Sequence, residues 1–354
     1  MRRAGATLVT AAFVIAALAG IVPAGATASA PATSAYVAVG PVRLADTRQP
    51  DCDCTRLTGD TVRVDVAGHA DVPDTAVAAA VTVTALPTAA PAFVTAYPGG
   101  TPRPPTSTVN TATQRVVANS AIVPLGADGT LDVFTKLPGD VIVDVTGVFV
   151  PADAAHAGRF VPVEPQRLVD TRVSDTPLGS GGELTVARPA SVPADATALA
   201  VNVTSVGDAR AGHLSARPAG AASGTPTSFV NLDGSGRPVA AAVILPTSAD
   251  GVTITSHGGG HVIVDLVGWF TGESAERSAA GLFVPQAPQR LLDTRSTAPG
   301  VYAGGTVEIA GVAGAAALVT NVTVTAADWR GYVTAYPAGT PRPGTSTVSP
   351  KGTW

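Results

Sequence analysis

Cysteine is nearly absent: Cys52 and Cys54 are the only two in 354 residues, and they stand one residue apart. That excludes a framework of long-range disulfides as the source of stability. A local Cys52–Cys54 bridge would close a tiny ring, and a metal site would need ligands beyond the neighbouring Asp51 and Asp53. A simple loop decoration is the favoured reading, because the later copies of this segment carry no cysteine. Aromatic residues make up 5% and charged residues 14%, against 45% hydrophobic. The cores must therefore be built from Val, Ala, Leu and Ile.

Lysine is missing almost entirely, with Lys136 and Lys351 the only two, and the formal net charge is −4. A mildly acidic chain without basic clusters has no electrostatic footprint for nucleic acid or an anionic membrane. There is no His-Glu-x-x-His, no Gly-x-Ser-x-Gly elbow and no phosphate-cradling glycine loop. The histidines His69, His156, His213, His257 and His261 are scattered. No metal and no cofactor are expected, and hydrolase activity is the weakest reading.

The only long apolar run is at the start. Arg2 and Arg3 precede an apolar stretch from Leu8 to Val22, and small residues follow. This pattern reads as a secretory signal over 1–28, cleaved after Ala28. It is too short for a comfortable membrane span, and no later segment could span a bilayer. The expected location is secreted or at the cell surface.

What is abundant is repetition. The segment Arg43-Leu44-Ala45-Asp46-Thr47-Arg48 returns as Arg167-Leu168-Val169-Asp170-Thr171-Arg172 and as Arg290-Leu291-Leu292-Asp293-Thr294-Arg295. Its aspartates are 124 and 123 residues apart. The copies span 36–150, 159–271 and 281–354, joined by the short linkers Pro151–Gly158 and Gly272–Ala280. The third is incomplete, lacking the closing Val-Ile-Val-Asp…Gly…Phe segment. Either the reading frame is cut short or shifted, which is favoured, or unpaired strand edges invite self-association with another chain.

Within each copy apolar residues alternate with Thr, Asn, Asp or Arg, as in Thr61–Val66, Ala80–Thr84 and Val141–Val145. Period-two alternation rich in β-branched residues is the strand signal. Asp128-Gly129 and Asp250-Gly251 read as hairpin turns. With about eight short strands per copy and no amphipathic helix, the expected fold class is all-β. It is read as tandem antiparallel β-sandwiches of jelly-roll or immunoglobulin-like type, repeating at about 120 residues, with the third copy truncated.

Three motifs carry a resemblance: Arg-Leu-x-Asp-Thr-Arg, the loop Tyr97-Pro98-x-Gly100-Thr101-Pro102-Arg103-Pro104, and Val143-Asp144-Val145…Gly147…Phe149. Together they resemble a tandem repeat of secreted actinobacterial cell-surface proteins, often appended to cell-wall or polysaccharide-active enzymes. The resemblance implies an extracellular, accessory role. Copy two departs from it, with Arg217 where copies one and three have Tyr97 and Tyr336.

Each motif has a bland and a functional reading. Arg43, Asp46 and Arg48, with Arg167, Asp170 and Arg172 and with Arg290, Asp293 and Arg295, are read as a structural tie. Asp46 and Arg48 share a strand face and suit a charge-assisted pair; a sugar or Ca²⁺ contact is the alternative. Asp144 and Asp265 are read as facing solvent or accepting a loop hydrogen bond. Trp269 is aligned with Phe149 as a core residue. Tyr97 and Tyr336, with Arg103 and Arg342, are the candidate contacts for a cell-wall polysaccharide or other glycan, since flat aromatics on a rigid sheet stack on sugar rings. The sequence reading is thus a secreted, non-catalytic adhesive or polysaccharide-binding protein. The alternatives are a ligand-free spacer and, last, an exported hydrolase.

Overall fold

The computed structural model describes residues 33–50, 52–222, 227–296, 301–325 and 331–349. The expected signal segment, Asp51, Trp329 and Trp354 lie outside the described residues. No described helix is long and apolar enough to cross a membrane.

The first copy forms β1 (Ser34–Asp46), β2 (Cys54–Thr58), β3 (Thr61–Asp65), β4 (Ala78–Ala85), β5 (Ala92–Pro98), β6 (Val109–Thr111), β7 (Val117–Pro124), β8 (Thr130–Thr135) and β9 (Val141–Pro151). The second forms β10 (Phe160–Asp170), β11 (Gly182–Ala187), β12 (Ala198–Val206), β13 (Ala211–Pro218), β14 (Val230–Asp233), β15 (Val239–Pro246), β16 (Gly251–Ser256) and β17 (His261–Phe270). Every ladder among them is antiparallel.

In copy two the pairings nest from the outside in: β10 with β17, β11 with β16, β12 with β15, and β13 with β14. This nesting, wound into the sheets β10-β17-β12-β15 and β11-β16-β13-β14, is a jelly roll. Copy one repeats it as β1-β9-β4-β7 and β2-β3-β8-β5-β6, with β2 added at one edge. The immunoglobulin-like option is thereby set aside. The turns at Asp128-Gly129 and Asp250-Gly251 are not hairpins. They carry the chain from one sheet to the other, since β7 pairs with β4 while β8 pairs with β3 and β5.

Alternation explains the cores. Val62 and Val64 of β3, Leu131 and Val133 of β8, and Val94 and Ala96 of β5 point inward in copy one. Val186, Leu214, Val252 and Ile254 do so in copy two. Strand β4 breaks the pattern by being buried at every position, Ala78 through Ala85. Its second face is covered by the other copy: β7 packs on β14 and β15, and β1 and β9 on β15. Between the copies lies a separate cluster of Tyr36, Ala78, Ala80, Phe149, Ala198 and Phe270, joined by Phe160 and Phe283. Alanine in β4 and β12 leaves room for these rings. Each fully buried ring such as Phe149, 1% exposed, is worth about 1.5–3 kcal/mol.

The linkers are part of this packing. Ala155 and Ser278 exchange backbone hydrogen bonds of 3.0 Å, tying one linker to the other. Among the described residues of copy three there is no strand, only isolated bridges: Val333 with Val348, and Phe283 with Ser34. The segments 318–325 and 331–337, which parallel strands of copy one in sequence, form no strand here. Topology gives the reason. In copies one and two the last two strands lie inside their sheets, β9 between β1 and β4 and β8 between β3 and β5. Of the ladders shared by copies one and two, that of β5 with β6 involves neither of these inner strands. The Val333–Val348 bridge is its equivalent, because Val94 faces Val109 in copy one.

Candidate functional site

The Arg-Leu-x-Asp-Thr-Arg segment ends β1 and β10 beside the closing strand. Arg43 donates to both carboxylate oxygens of Asp144 at 2.8 and 3.2 Å. Arg48 does the same to Asp46 at 2.8 and 2.6 Å. The Thr47 hydroxyl donates to Asp140 and accepts from the Val141 amide. Copy two repeats the set: Arg167 to Asp265 at 2.8 and 3.1 Å, Arg172 to Asp170 at 2.8 and 2.7 Å, and Val262 N–H to Thr171. In copy three Arg295 and Arg290 both donate to Asp293.

These guanidiniums govern the carboxylates. Asp46 is held below its ordinary value chiefly by Arg48, and Asp170 falls to about 2 chiefly through Arg172. Asp144 moves the other way: burial raises it, opposed by Arg43. Asp144 and Asp265, read as facing solvent or accepting a loop hydrogen bond, are 1% exposed, and Asp144 takes a backbone hydrogen bond from Ser228. A single sandwich would leave that sheet face in water, and the neighbouring copy covers it. The repeat register also corrects Trp269. Gly147 corresponds to Gly268, so Phe270 occupies the place of Phe149; Tyr36 faces Phe149 and Phe160 faces Phe270. Trp269 packs at the margin of the copy-two core.

Cys52 and Cys54 are disulfide-bonded, with Cα atoms 5.2 Å apart. With Thr47, Gln49, Arg56 and Val62 they line a cavity of about 150 Å³. Ligand pockets usually enclose about 300–1,000 Å³. No group of three or more metal-ligating side chains is found among the described residues.

The candidate glycan contacts separate. Tyr97 lies on the outer face of the sheet β2-β3-β8-β5-β6 but is 6% exposed. Burial raises its hydroxyl pKa, and Thr61, Asp132 and Arg103 lie close to it. No open ring face remains for a sugar. The Gly99–Thr108 loop is bound down over this part of the sheet. The Gly100 amide donates to Asp132 at 3.1 Å and the Thr95 hydroxyl to the Thr106 carbonyl at 2.6 Å. Arg103, carried on that loop, sits 4.2 Å from the Phe134 ring centroid and 6.0 Å from that of Phe93. The two rings are 6.0 Å apart and tilted by 44°. Beside them Arg63 donates to both oxygens of Asp132 at 2.8 and 3.0 Å.

Phe93 and Phe134, both half-buried, are therefore the aromatics that the sequence reading missed. Alternation with the core residues Val94 and Ala96 of β5 puts Phe93 on the outer face, and alternation with Leu131 and Val133 of β8 does the same for Phe134. Copy two presents a different surface at this place. Arg217 is paired with Glu183 at 2.8 and 2.9 Å, and the rings of His213 and His257 stack at 4.2 Å. In copy three Tyr336 is half-buried and Arg342 exposed.

No family model matches the chain, and no curated protein does. Among solved structures, the N-terminal CBM22-1-CBM22-2 tandem domain of Paenibacillus barcinonensis Xyn10C is similar at 11% identity and a TM-score of 0.18. That likeness covers 70% of this chain and 100% of that one. The fold described above rests on its own strand pairings.

Proposed function

We propose that this is a secreted, non-catalytic cell-surface protein that binds wall polysaccharide or another glycan through the outer sheet of its first jelly roll. The observation that carries the reading is the platform of Phe93 and Phe134 with Arg103 over them, flanked by the Arg63–Asp132 pair. A sheet holds these groups rigidly, and a planar guanidinium with aromatic edges suits the apolar faces and hydroxyl rims of sugar rings. The carboxylates of the repeated motif are each engaged by arginine, which supports a structural role for them rather than acid–base chemistry. The resemblance to actinobacterial surface repeats agrees with this placement. Tyr336 and Arg342 stand at the corresponding loop of copy three and would add a second, weaker contact.

The spacer reading loses support from the packing of the copies. A spacer gains reach when its modules are strung end to end, whereas these copies share a buried cluster and hydrogen-bonded linkers.

Co-sedimentation with insoluble cell wall and common polysaccharides, with salt titrated, tests the proposal. Retention on one polymer is expected, reduced at least several-fold in Phe134→Ala and Arg103→Ala. Retention unchanged in both variants would remove this face from the account. A protein that stays in the supernatant with every polymer would favour the spacer, and turnover on a substrate panel would favour the hydrolase.

A further inference from the structure

The contacts between copies follow a cyclic rule. Tyr36, Phe160 and Phe283 open the three copies at equivalent positions, and each is preceded two residues earlier by Ser34, Gly158 or Gly281. The Tyr36 amide of copy one donates to Gly158 of copy two at 2.9 Å. The Phe160 amide of copy two donates to Gly281 of copy three at 2.7 Å. The Phe283 amide of copy three donates to Ser34 of copy one at 2.8 Å, closing the circuit.

A second set of contacts obeys the same order. The segment just before β6 holds Ser107, and its counterparts are Ser228 and Ser346. The Ser228 amide of copy two donates to Asp144 on the outer face of copy one. Asn202, on the same face of copy two, donates to the Ser346 carbonyl of copy three. Asn321, the copy-three counterpart of Asn202, donates to the Ser107 carbonyl of copy one at 2.7 Å. Each face thus takes the lip of the next copy, and the third takes the lip of the first. Head-to-tail contacts of this kind form a ring when the rotation closes.

The rings of the central cluster are ordered likewise. Phe270 of copy two packs on Tyr36 of copy one at 4.4 Å, and Phe149 of copy one on Phe283 of copy three at 4.5 Å. By the same rule Phe160 should receive the closing-strand aromatic of copy three. Tyr36 is 2% exposed, whereas Phe160 is only half-buried. On the same side of copy two, Asn202 Oδ1 is buried without a hydrogen-bond partner among the described residues.

We propose that the chain is a three-seat ring with pseudo-threefold symmetry, and that its third seat fits a complete jelly roll of this same repeat. Phe283, Asn321 and Ser346 of copy three hold the seat. The counterparts of β7, β8 and β9 would complete it in cis, bringing an aromatic onto Phe160. The ring is independent of any glycan, so its test and the sedimentation test fail separately.

The test uses paired cysteines in the full chain with Cys52 and Cys54 replaced by serine. Ser107→Cys with Asn321→Cys, and Asn202→Cys with Ser346→Cys, are the cognate pairs. Ser107→Cys with Asn202→Cys is the non-cognate control. The cognate pairs should cross-link readily within the monomer while the control does not. Equal yields for all three pairs, or cross-links confined to dimers, would overturn the cis ring. In a second chain, residues 232–271 follow Ser349. There the amides of 317–325 should gain protection from hydrogen exchange while both cognate pairs still close. No gain in protection, or a folded third unit whose cognate pairs no longer close, would overturn the complete seat.

Discussion

Replacing Arg43 by methionine isolates a charge that the fold has buried, and the consequence can be worked out in advance. The Asp144 side chain is 1% exposed and that of Arg43 31%, so the two halves of the pair are not equivalent. Arg43→Met leaves a buried carboxylate with the Ser228 amide as its remaining donor. Breaking a buried pair in this way costs about 3–5 kcal/mol when the charge is retained. Asp144→Asn instead leaves a guanidinium that water can reach, at a cost of about 1–2 kcal/mol. The carboxyl in Arg43→Met can escape part of its penalty by taking up a proton. Burial already raises its pKa against the pull of Arg43, and without Arg43 it rises further. A carboxyl whose folded value lies above its unfolded value binds protons more tightly in the folded state. The variant is therefore most stable below the unfolded value and loses stability as pH rises through the folded one. The slope is up to about 1.4 kcal/mol per pH unit. Urea denaturation from pH 4 to 7 reads this directly. Equal destabilisation of Arg43→Met at pH 4 and pH 7, or an Asp144→Asn variant as damaged as Arg43→Met, would refute the reasoning.

Three further outcomes are expected. His213 is held down to about 4, chiefly by burial and then by His257 and Arg43. The unfolded chain therefore binds the extra proton, and stability falls as pH drops from about 6.5 to 4, by no more than about 3 kcal/mol. His213→Gln should flatten that limb of a urea-midpoint profile; an unchanged slope would refute it. Asp170, at about 2 beside Arg172, contributes stability that is present above the ordinary carboxylate pKa and lost as pH falls through 2. Asp170→Asn should remove that acid limb in thermal melts, at a cost near neutrality of at most about 2 kcal/mol. Gly147→Ala would drive a methyl into the Tyr36 ring, and such overpacking costs about 1–3 kcal/mol. Its melting temperature should drop, and Tyr36→Ala in the same chain should relieve the clash, leaving less than the sum of the two losses.

Much of the molecule was legible in the residues. Alternation in Thr61–Val66 and Val141–Val145, together with the recurring Arg-Leu-x-Asp-Thr-Arg, was enough for an all-β chain of sandwich repeats. Alternation places a side chain on a face but does not say what covers that face. For that reason the burial of Asp144 and the covering of Tyr97 emerge only with the fold. The same limit hid Phe93 and Phe134, whose partner Arg103 arrives on a loop.

By itself the sequence determined what depends on local periodicity and copying: the class of fold, the period and the sparse charge. The order of strands, and with it the jelly roll, depended on pairings between residues about a hundred positions apart, such as Arg43 with Asp144. Only the tertiary structure decided those. It alone also set the copies against one another, because Tyr36, Phe160 and Phe283 read as isolated aromatics along the chain and meet only after three separate segments have folded.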